Sequence, residues 1–204
     1  MRDAYTEAVL ALGQLALQFG RVNRITRHED GVTPESDTDH TVMMGLVACS
    51  YASSFAPHLD LGKVSQFALV HDLVEAYAGD TASIGGKLSQ EKRSLKEHKE
   101  REALERLEKE FSGSFPWLID MIKQYEALSC PEARFIKAID KVMPKITNIL
   151  SGCVVVKQEV SVEEFEERLT KQRIDMYSTY AKDQPEAMDL FDSLTAKMLH
   201  LMKQ

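Results

Sequence analysis

Two adjacent polar residues, His71 and Asp72, lie inside the apolar run FALVHDLVEAYAGD, and Glu75 follows in the same run. Burying an ionised carboxylate among apolar neighbours costs several kcal/mol unless a cation or another partner compensates. A divalent metal ion would compensate both carboxylates. These residue types in this setting therefore indicate a metal site.

A second histidine and a second aspartate belong to the same candidate site. His40 lies at the start of a predicted helix in SDTDHTVMMG, where Ser36 or Asp37 can supply the N-cap. Asp140 follows an apolar residue in ARFIKAIDKVMP, so it lies at the edge of a buried helix face. Two imidazoles and two carboxylates suit Mn, Fe, Co, Ni or Zn and leave positions for water and substrate.

The spacing around Glu75 is typical of a general base beside such a site. A helix over 62–78 places His71 and Glu75 on one face, with Asp72 rotated by about 100° toward the same centre. A bound divalent metal lowers the pKa of its water toward about 7, and Glu75 can accept that proton. The pattern therefore predicts metal-assisted hydrolysis.

The overall charge restricts the partners of the chain. It has 25 Lys and Arg against 32 Asp and Glu, a net charge of −7 and a sequence pI near 5.4. Such a protein repels a polyphosphate backbone, so we predict no nucleic-acid polymer as partner. A small anionic substrate then needs local arginines, and Arg21, Arg24 and Arg27 are the candidates.

Helical periodicity runs through most of the 204 residues. The predicted helices cover 3–20, 40–56, 62–78, 87–111, 115–128, 131–152, 161–181 and 185–203. We find no pair of segments with the alternation and hairpin turn of paired strands, although CVVVKQEV at 153–160 is a short β-like run. The turn-rich stretch 26–39 is expected to be a functional or mobile loop. The predicted fold class is all-α: one domain over 1–204, with seven or eight helices and a bend at Pro144.

The order of the four candidate ligands resembles the H…HD…D signature of the HD-domain metal-dependent phosphohydrolases, an all-helical superfamily. Within it the chain is most similar to the bacterial 5′-deoxynucleotidase-like branch. The similar stretches are NRITR at 23–27, ESDTDHT up to the first histidine, HDLVEAYAGDT at 71–81 and YEAL…EARFIKAIDK at 125–141. The resemblance covers about residues 10–150, and the helices of 161–203 lie outside it.

The resemblance implies a role for each matching position. It implies one divalent cation, which could be Mn, Co, Fe, Ni, Zn or Mg, held by His40, His71, Asp72 and Asp140. It also implies that Glu75 orients or deprotonates the attacking water, that Asp80 contacts the sugar and disfavours a 2′-hydroxyl, and that Arg24 clamps the phosphate. The branch places tryptophan after that arginine, whereas this chain has Ile25.

The predicted function is a divalent-metal-dependent phosphohydrolase that releases phosphate from (deoxy)nucleoside 5′-monophosphates. Its partner is then a small phosphorylated metabolite, a nucleotide. The alternatives are a nucleoside triphosphate hydrolase or other phosphomonoesterase, a diiron oxygenase on the same scaffold, and a catalytically silent nucleotide-binding module. The oxygenases need further histidine ligands, and the motif segments hold no additional histidine.

The remaining expectations concern assembly and location. The apolar positions of 161–203 either pack on the domain or form a homodimer interface, and we predict a homodimer. Three widely spaced cysteines without a CxxC pair favour a reducing compartment. The first residues lack a basic leader, and no stretch has the roughly 18 apolar residues of a membrane helix. We therefore expect a cytoplasmic protein with no membrane partner.

Overall fold

A computed structural model describes residues 2–81 and 89–204. Its elements in chain order are α1 (Arg2–Phe19), β1 (Asn23–Arg27), β2 (Pro34–Ser36), α2 (Asp37–Phe55), α3 (Leu61–Val70), α4 (Glu75–Ala78), α5 (Gln90–Phe111), α6 (Pro116–Glu126), α7 (Pro131–Leu150), α8 (Val154–Glu159), α9 (Val162–Met176), a π-helical turn (Tyr177–Ala181) and α10 (Pro185–Met202). The predicted all-α class is confirmed. The predicted helix over 87–111 corresponds to α5, and its first two residues lie outside the described chain.

The stretch expected to be a loop contains a short antiparallel hairpin, so the prediction of no strand pair was wrong. Strands β1 and β2 pair with Asn23 opposite Ser36 and Arg27 opposite Pro34. The turn between them is held by Asp30, whose carboxylate accepts hydrogen bonds from the backbone of Val32 and Thr33, both at 2.8 Å. β2 has only three residues, which is too short to show a strand alternation in the sequence.

The predicted helix over 62–78 is interrupted at the His71–Asp72 pair. Helix α3 ends at Val70, and residues 71–74 form a turn. Hydrogen bonds here reach carbonyls three residues back, from the N–H of Leu73 to Val70 at 3.1 Å and from the N–H of Glu75 to Asp72 at 2.8 Å. Helix α4 then begins at Glu75. The sequence pattern predicts a continuous helix with His71 and Glu75 on one face. The turn interrupts that helix between the two residues.

The β-like run at 153–160 is also helical. Cys153 adopts a left-handed conformation with φ 61° and precedes helix α8. Val156 of this helix is buried in an apolar cluster with Phe165 and Leu169 of α9 and Met198 of α10. Burial against these helices, rather than β propensity, decides the local structure. With the interruption at His71, this helix raises the described α-helical segments above the seven or eight predicted.

Helix α7 lies at the centre of the described chain. Its apolar face, with Phe135, Ile136 and Ile139, is fully buried against α2, α3 and α10. The helix continues past Pro144 to Leu150, although proline has no N–H to give to the carbonyl of Asp140. None of the helices in the described ranges has the length and apolar character needed to cross a membrane.

Candidate metal centre

Side chains from α2, the turn after α3 and helix α7 meet in one cluster. One ligand atom from each of His40, His71, Asp72 and Asp140 lies within 4.8 Å of the other three. Nε2 of His40 is 3.4 Å from Oδ1 of Asp140, and Nε2 of His71 is 3.0 Å from Oδ2 of Asp72. Asp72 is partly buried and the other three are buried. The structure thus brings together all four residues predicted to be ligands.

The hydrogen bonds of the two imidazoles fit a metal site. Nδ1 of His40 donates to Oε1 of Glu35 at 3.1 Å, and Nδ1 of His71 donates to the carbonyl of Ala68 at 2.9 Å. The two Nε2 atoms are buried and form no hydrogen bond with the described residues. Metal-ligating histidines typically have one ring nitrogen held in this way while the other faces the ion. The donor set and its orientation therefore fit a divalent cation.

The electrostatics of the cluster also favour a cation. Burial alone would lower the pKa of His40, but the nearby carboxylates of Asp140 and Glu35 raise it to about 9. Burial acts to raise the pKa of Asp140, but Lys141 and His40 hold it well below its usual range. The carboxylates therefore stay charged and draw positive charge toward them, and a metal ion would take the place of the proton on His40.

Glu75 lies beside the four-residue cluster at the start of α4 and is 4% exposed. Its Oε1 accepts a hydrogen bond from Lys96 of α5 at 3.1 Å. Its Oε2 is buried, lies 3.7 Å from Arg24 and forms no hydrogen bond with the described residues. Burial first, and then the charge of Asp72, raises the pKa of Glu75 to about 9. A buried carboxylate oxygen without a donor is suited to receive a proton.

Arg24 of β1 is the only one of the three candidate arginines whose described ion pairs reach the cluster. Its Nη1 is 3.0 Å from Asp37 and 3.0 Å from Asp72. Arg21 is exposed and Arg27 is half-buried. Arg24 also lines a cavity of about 150 Å³ together with Asp80 and Asp140. An arginine and a sugar-binding candidate thus share one cavity with a proposed metal ligand.

Residues 18–180 match the family model of the HD domain. The chain belongs to the HD-domain family. This match confirms the family resemblance from which the roles of the site residues were predicted. The matching segment includes both the candidate metal centre and helix α9.

Several relatives and solved structures are similar to this HD-domain chain. The 5′-deoxynucleotidase HDDC2 of Bos taurus is 26% identical over 190 residues, which cover 89% of this chain and 84% of the relative. The Xenopus laevis protein of the same name is 27% identical over 165 residues, 76% and 73% of the two chains. A structure from Magnetospirillum magnetotacticum, described as a "Predicted metal-dependent phosphohydrolase", has a TM-score of 0.72 at 21% identity and covers 98% of this chain and 97% of that one. A conserved hypothetical protein from Pyrococcus furiosus has a TM-score of 0.59 at 18% identity, with 92% and 99% covered.

Sequence reasoning missed several neighbours of the HD-domain cluster. Glu35 and Asp37 lie in the stretch expected to be a loop, and both are buried. Lys96 lies in a charged run interpreted as an exposed helix, yet it bonds Glu75. Lys141 pairs with Asp140 at 2.5 Å. The only sequence signal for Glu35 was its place in ESDTDHT, and nothing in the periodicity of α5 distinguished Lys96.

Proposed function

We propose that this HD-domain protein is a divalent-metal-dependent phosphohydrolase that releases phosphate from (deoxy)nucleoside 5′-monophosphates. The observation that carries the proposal is the pair of buried imidazole Nε2 atoms that face two carboxylates and have no other described partner. The 5′-deoxynucleotidases among the relatives, at 26% and 27% identity, support the substrate class.

One divalent cation would be held by His40, His71, Asp72 and Asp140. Such an ion supplies Lewis acidity toward a phosphoryl oxygen and lowers the pKa of water at its open positions. Mn, Co, Fe, Ni, Zn and Mg are all candidates, and the mixed nitrogen and oxygen donors favour the transition metals among them.

Glu75 is the proposed general base. Its Oε2 is free to accept a proton from the attacking water, while Lys96 holds Oε1 and fixes the carboxylate. Burial raises the pKa of Glu75, but the positive charge of Lys96 and of a cation at the cluster favours the charged form that a base needs.

Arg24 is the proposed phosphate clamp and Asp80 the proposed sugar contact. Asp37 and Asp72 both accept a hydrogen bond from Nη1 of Arg24, and the Arg24 side chain lines the cavity. A guanidinium fixed in this way can neutralise charge that develops on the phosphoryl oxygens.

The decisive experiment is a substrate panel with protein that has been stripped by a chelator and reloaded with Mn²⁺ or Co²⁺. We expect phosphate release from deoxynucleoside 5′-monophosphates, loss of activity in Asp72→Asn, and a kcat about a hundredfold lower in Glu75→Gln with one metal ion still bound per chain. Glu97→Gln, an exposed acid on α5, is the matched control.

Other outcomes of the panel would identify a different function. Stoichiometric metal binding without phosphate release from any deoxynucleoside monophosphate would overturn the proposal. Pyrophosphate or triphosphate release from nucleoside triphosphates would identify a triphosphate hydrolase. Two irons per chain in elemental analysis would identify a diiron oxygenase, and nucleotide binding without turnover a silent binding module.

We also propose that the protein acts as a homodimer in the cytoplasm. The observation behind the dimer is the exposed apolar surface of the described helices, which includes Leu46, Leu69 and Trp117. Sedimentation equilibrium that gives the mass of one chain at micromolar concentration would contradict a dimer.

A further inference from the structure

The cavity beside the candidate metal centre continues along α7 toward the C-terminal helices. Its lining begins with Arg24, Asp80 and Asp140 and includes Lys145, five residues after Asp140 on the same helix. Five residues of α-helix span about 7.5 Å, roughly one and a half turns. Part of the remaining lining comes from α8, α9 and α10, with Val155, Val156, Phe165, Leu169, Gln172 and Met198, and the rest comes from β1, Thr81 and α7. One cavity therefore connects the candidate metal centre with Lys145.

Lys145 is a buried lysine with no role in the proposed phosphate chemistry. It is 3% exposed. Its Nζ donates to the carbonyl of Lys141 at 3.0 Å and to Oε1 of Gln172 at 3.4 Å, and it lies 3.6 Å from the centre of the Phe191 ring. Within the described ranges, none of its hydrogen bonds goes to a carboxylate. Burial, with a smaller contribution from Lys141, lowers its pKa to about 7.

Burying a lysine at this position only to link helices would cost folding free energy. An apolar side chain of similar length would join α7 to α9 and α10 without the desolvation of an amine. The weak link to Gln172, at 3.4 Å, is also one that a better acceptor could replace. A ligand that brings such an acceptor into the cavity would compensate the buried amine.

The chemistry of the walls defines the ligand group. Five of the lining residues from α8, α9 and α10 are apolar, which suits the faces of a flat ring, whereas Lys145 and the Gln172 amide offer N–H donors at its edge. Guanine presents two acceptors, O6 and N7, and thymine presents O4. Adenine and cytosine carry an amino donor at the corresponding position. A donor that faces the ammonium of Lys145 would leave both groups unpaired.

We propose that this cavity holds the base of the nucleotide and that Lys145, with Gln172, selects bases with an oxo group at that edge over bases with an amino group. The selected bases are guanine, hypoxanthine, thymine and uracil. The inference rests on the proposed nucleotidase function and adds the base preference to it.

Binding of nucleosides to the chelator-treated protein tests this pocket without phosphate, metal or turnover. By calorimetry we expect 2′-deoxyguanosine to bind at least about tenfold more tightly than 2′-deoxyadenosine, and thymidine more tightly than 2′-deoxycytidine. In Lys145→Met the two nucleosides of each pair should bind with affinities within about threefold of each other. Gln172→Leu, on the half-buried side of α9, should reduce the affinity ratio as well and serves if Lys145→Met does not fold. Lys171→Met, an exposed neighbour on α9, should keep the wild-type ratio.

Turnover of the metal-loaded enzyme separates recognition from a structural role. Lys145→Met should lower kcat/KM for dGMP about tenfold, mostly through KM, and leave unchanged the hydrolysis of phenyl phosphate, whose ring carries no oxo group. An equal loss for dGMP and phenyl phosphate would show that Lys145 only supports the fold and would overturn the inference.

Equal binding of all four nucleosides to the wild type would overturn it too, as would a Lys145-dependent preference for nucleotides with a second phosphate. Selective nucleoside binding without phosphate release from any substrate would refute the nucleotidase function and leave the base pocket standing.

Discussion

Glu35 is the side chain through which the hairpin reaches the candidate metal centre. It is 2% exposed and accepts two hydrogen bonds, one from Thr26 at 2.5 Å and one from Nδ1 of His40 at 3.1 Å. Burial acts to raise the pKa of Glu35, but the hydrogen bonds from His40 and Thr26 lower it below its usual value. A charged carboxylate on Nδ1 orients the imidazole and makes its Nε2 a better ligand. Glu35 is therefore a positioning residue for His40.

Glu35→Gln should weaken divalent-metal binding about tenfold to a hundredfold, because the neutral amide orients His40 less firmly and makes it less basic. Calorimetric titration of the metal-free protein with Mn²⁺ measures this directly. Glu29→Gln changes an exposed acid in the same hairpin region and should leave the affinity as it is. Unchanged affinity in Glu35→Gln would show that the contact with His40 is structural only.

The N-terminus of α2 fixes the backbone that carries His40. Ser36 is its N-cap: its Oγ accepts from the N–H of Asp39 at 3.1 Å, and the Asp39 carboxylate accepts from the N–H of Ser36 at 3.0 Å. This reciprocal pair is a capping box, and His40 is the next residue. The cap therefore contributes both to helix stability and to the position of a proposed ligand.

Ser36→Ala should cost about 1 kcal/mol of unfolding free energy and also weaken metal binding. Ser161→Ala is the matched control, because Ser161 caps α9 through the N–H of Glu164 at 3.1 Å, on a helix that carries no proposed ligand. It should cost a similar unfolding free energy with no change in metal affinity. Urea unfolding and metal titration of the two variants separate the effects. Equal metal affinity in both would disprove the link between the cap and the site.

The contact of α7 with α9 and α10 should show the pH dependence of a buried amine. Lys145 has a pKa of about 7 in the folded chain against its usual 10.5. Between these values the unfolded chain holds a proton that the folded chain lacks, so this residue makes the unfolding free energy rise with pH from about 7 to about 10. Below pH 7 the full penalty of the buried charge applies.

Lys145→Met should therefore be more stable than the wild type by a few kcal/mol near pH 7, and the difference should shrink by pH 10. Urea unfolding at several pH values, read as the difference between the two proteins, removes the contribution of other titrating groups. Lys171→Met should show no such trend. A variant that is less stable than the wild type at every pH would mean that the bonds of Lys145 outweigh its desolvation.

The elements differ in how far the sequence predicts them. Helix α2 and its cap could be predicted because Ser36 and the periodic apolar residues after it are local signals. The turn at His71 could not, since Leu73 and Val74 are buried whether the helix continues or not. The four residues of the cluster could be predicted from their types and order. Glu35 could not be predicted, because its burial depends on a three-residue strand that is too short to leave a pattern.

The excess negative charge of the whole molecule is partly concentrated around one centre. Five buried or partly buried acids belong to the cluster or contact it or Arg24: Glu35, Asp37, Asp72, Glu75 and Asp140. Their mutual repulsion opposes folding, and Arg24, Lys96 and Lys141 offset part of it. A divalent cation would offset more. Because its proposed ligands come from α2, α7 and the turn between α3 and α4, such an ion would also tie distant parts of the chain together.

Metal binding should therefore raise the thermal stability of the entire protein. An ion that binds only the folded state adds about 2.7 kcal/mol at a free concentration of a hundred times its Kd. For a chain of this size, that corresponds to a rise in Tm of roughly 5–10 °C. Calorimetric scans of the chelator-treated protein with and without Mn²⁺ measure the rise. His71→Ala should abolish most of it, whereas His58→Ala, an exposed histidine outside the cluster, should retain it. An equal rise in both variants would mean that Mn²⁺ stabilises the fold from some other site, and the assignment of His71 as a ligand would then be wrong.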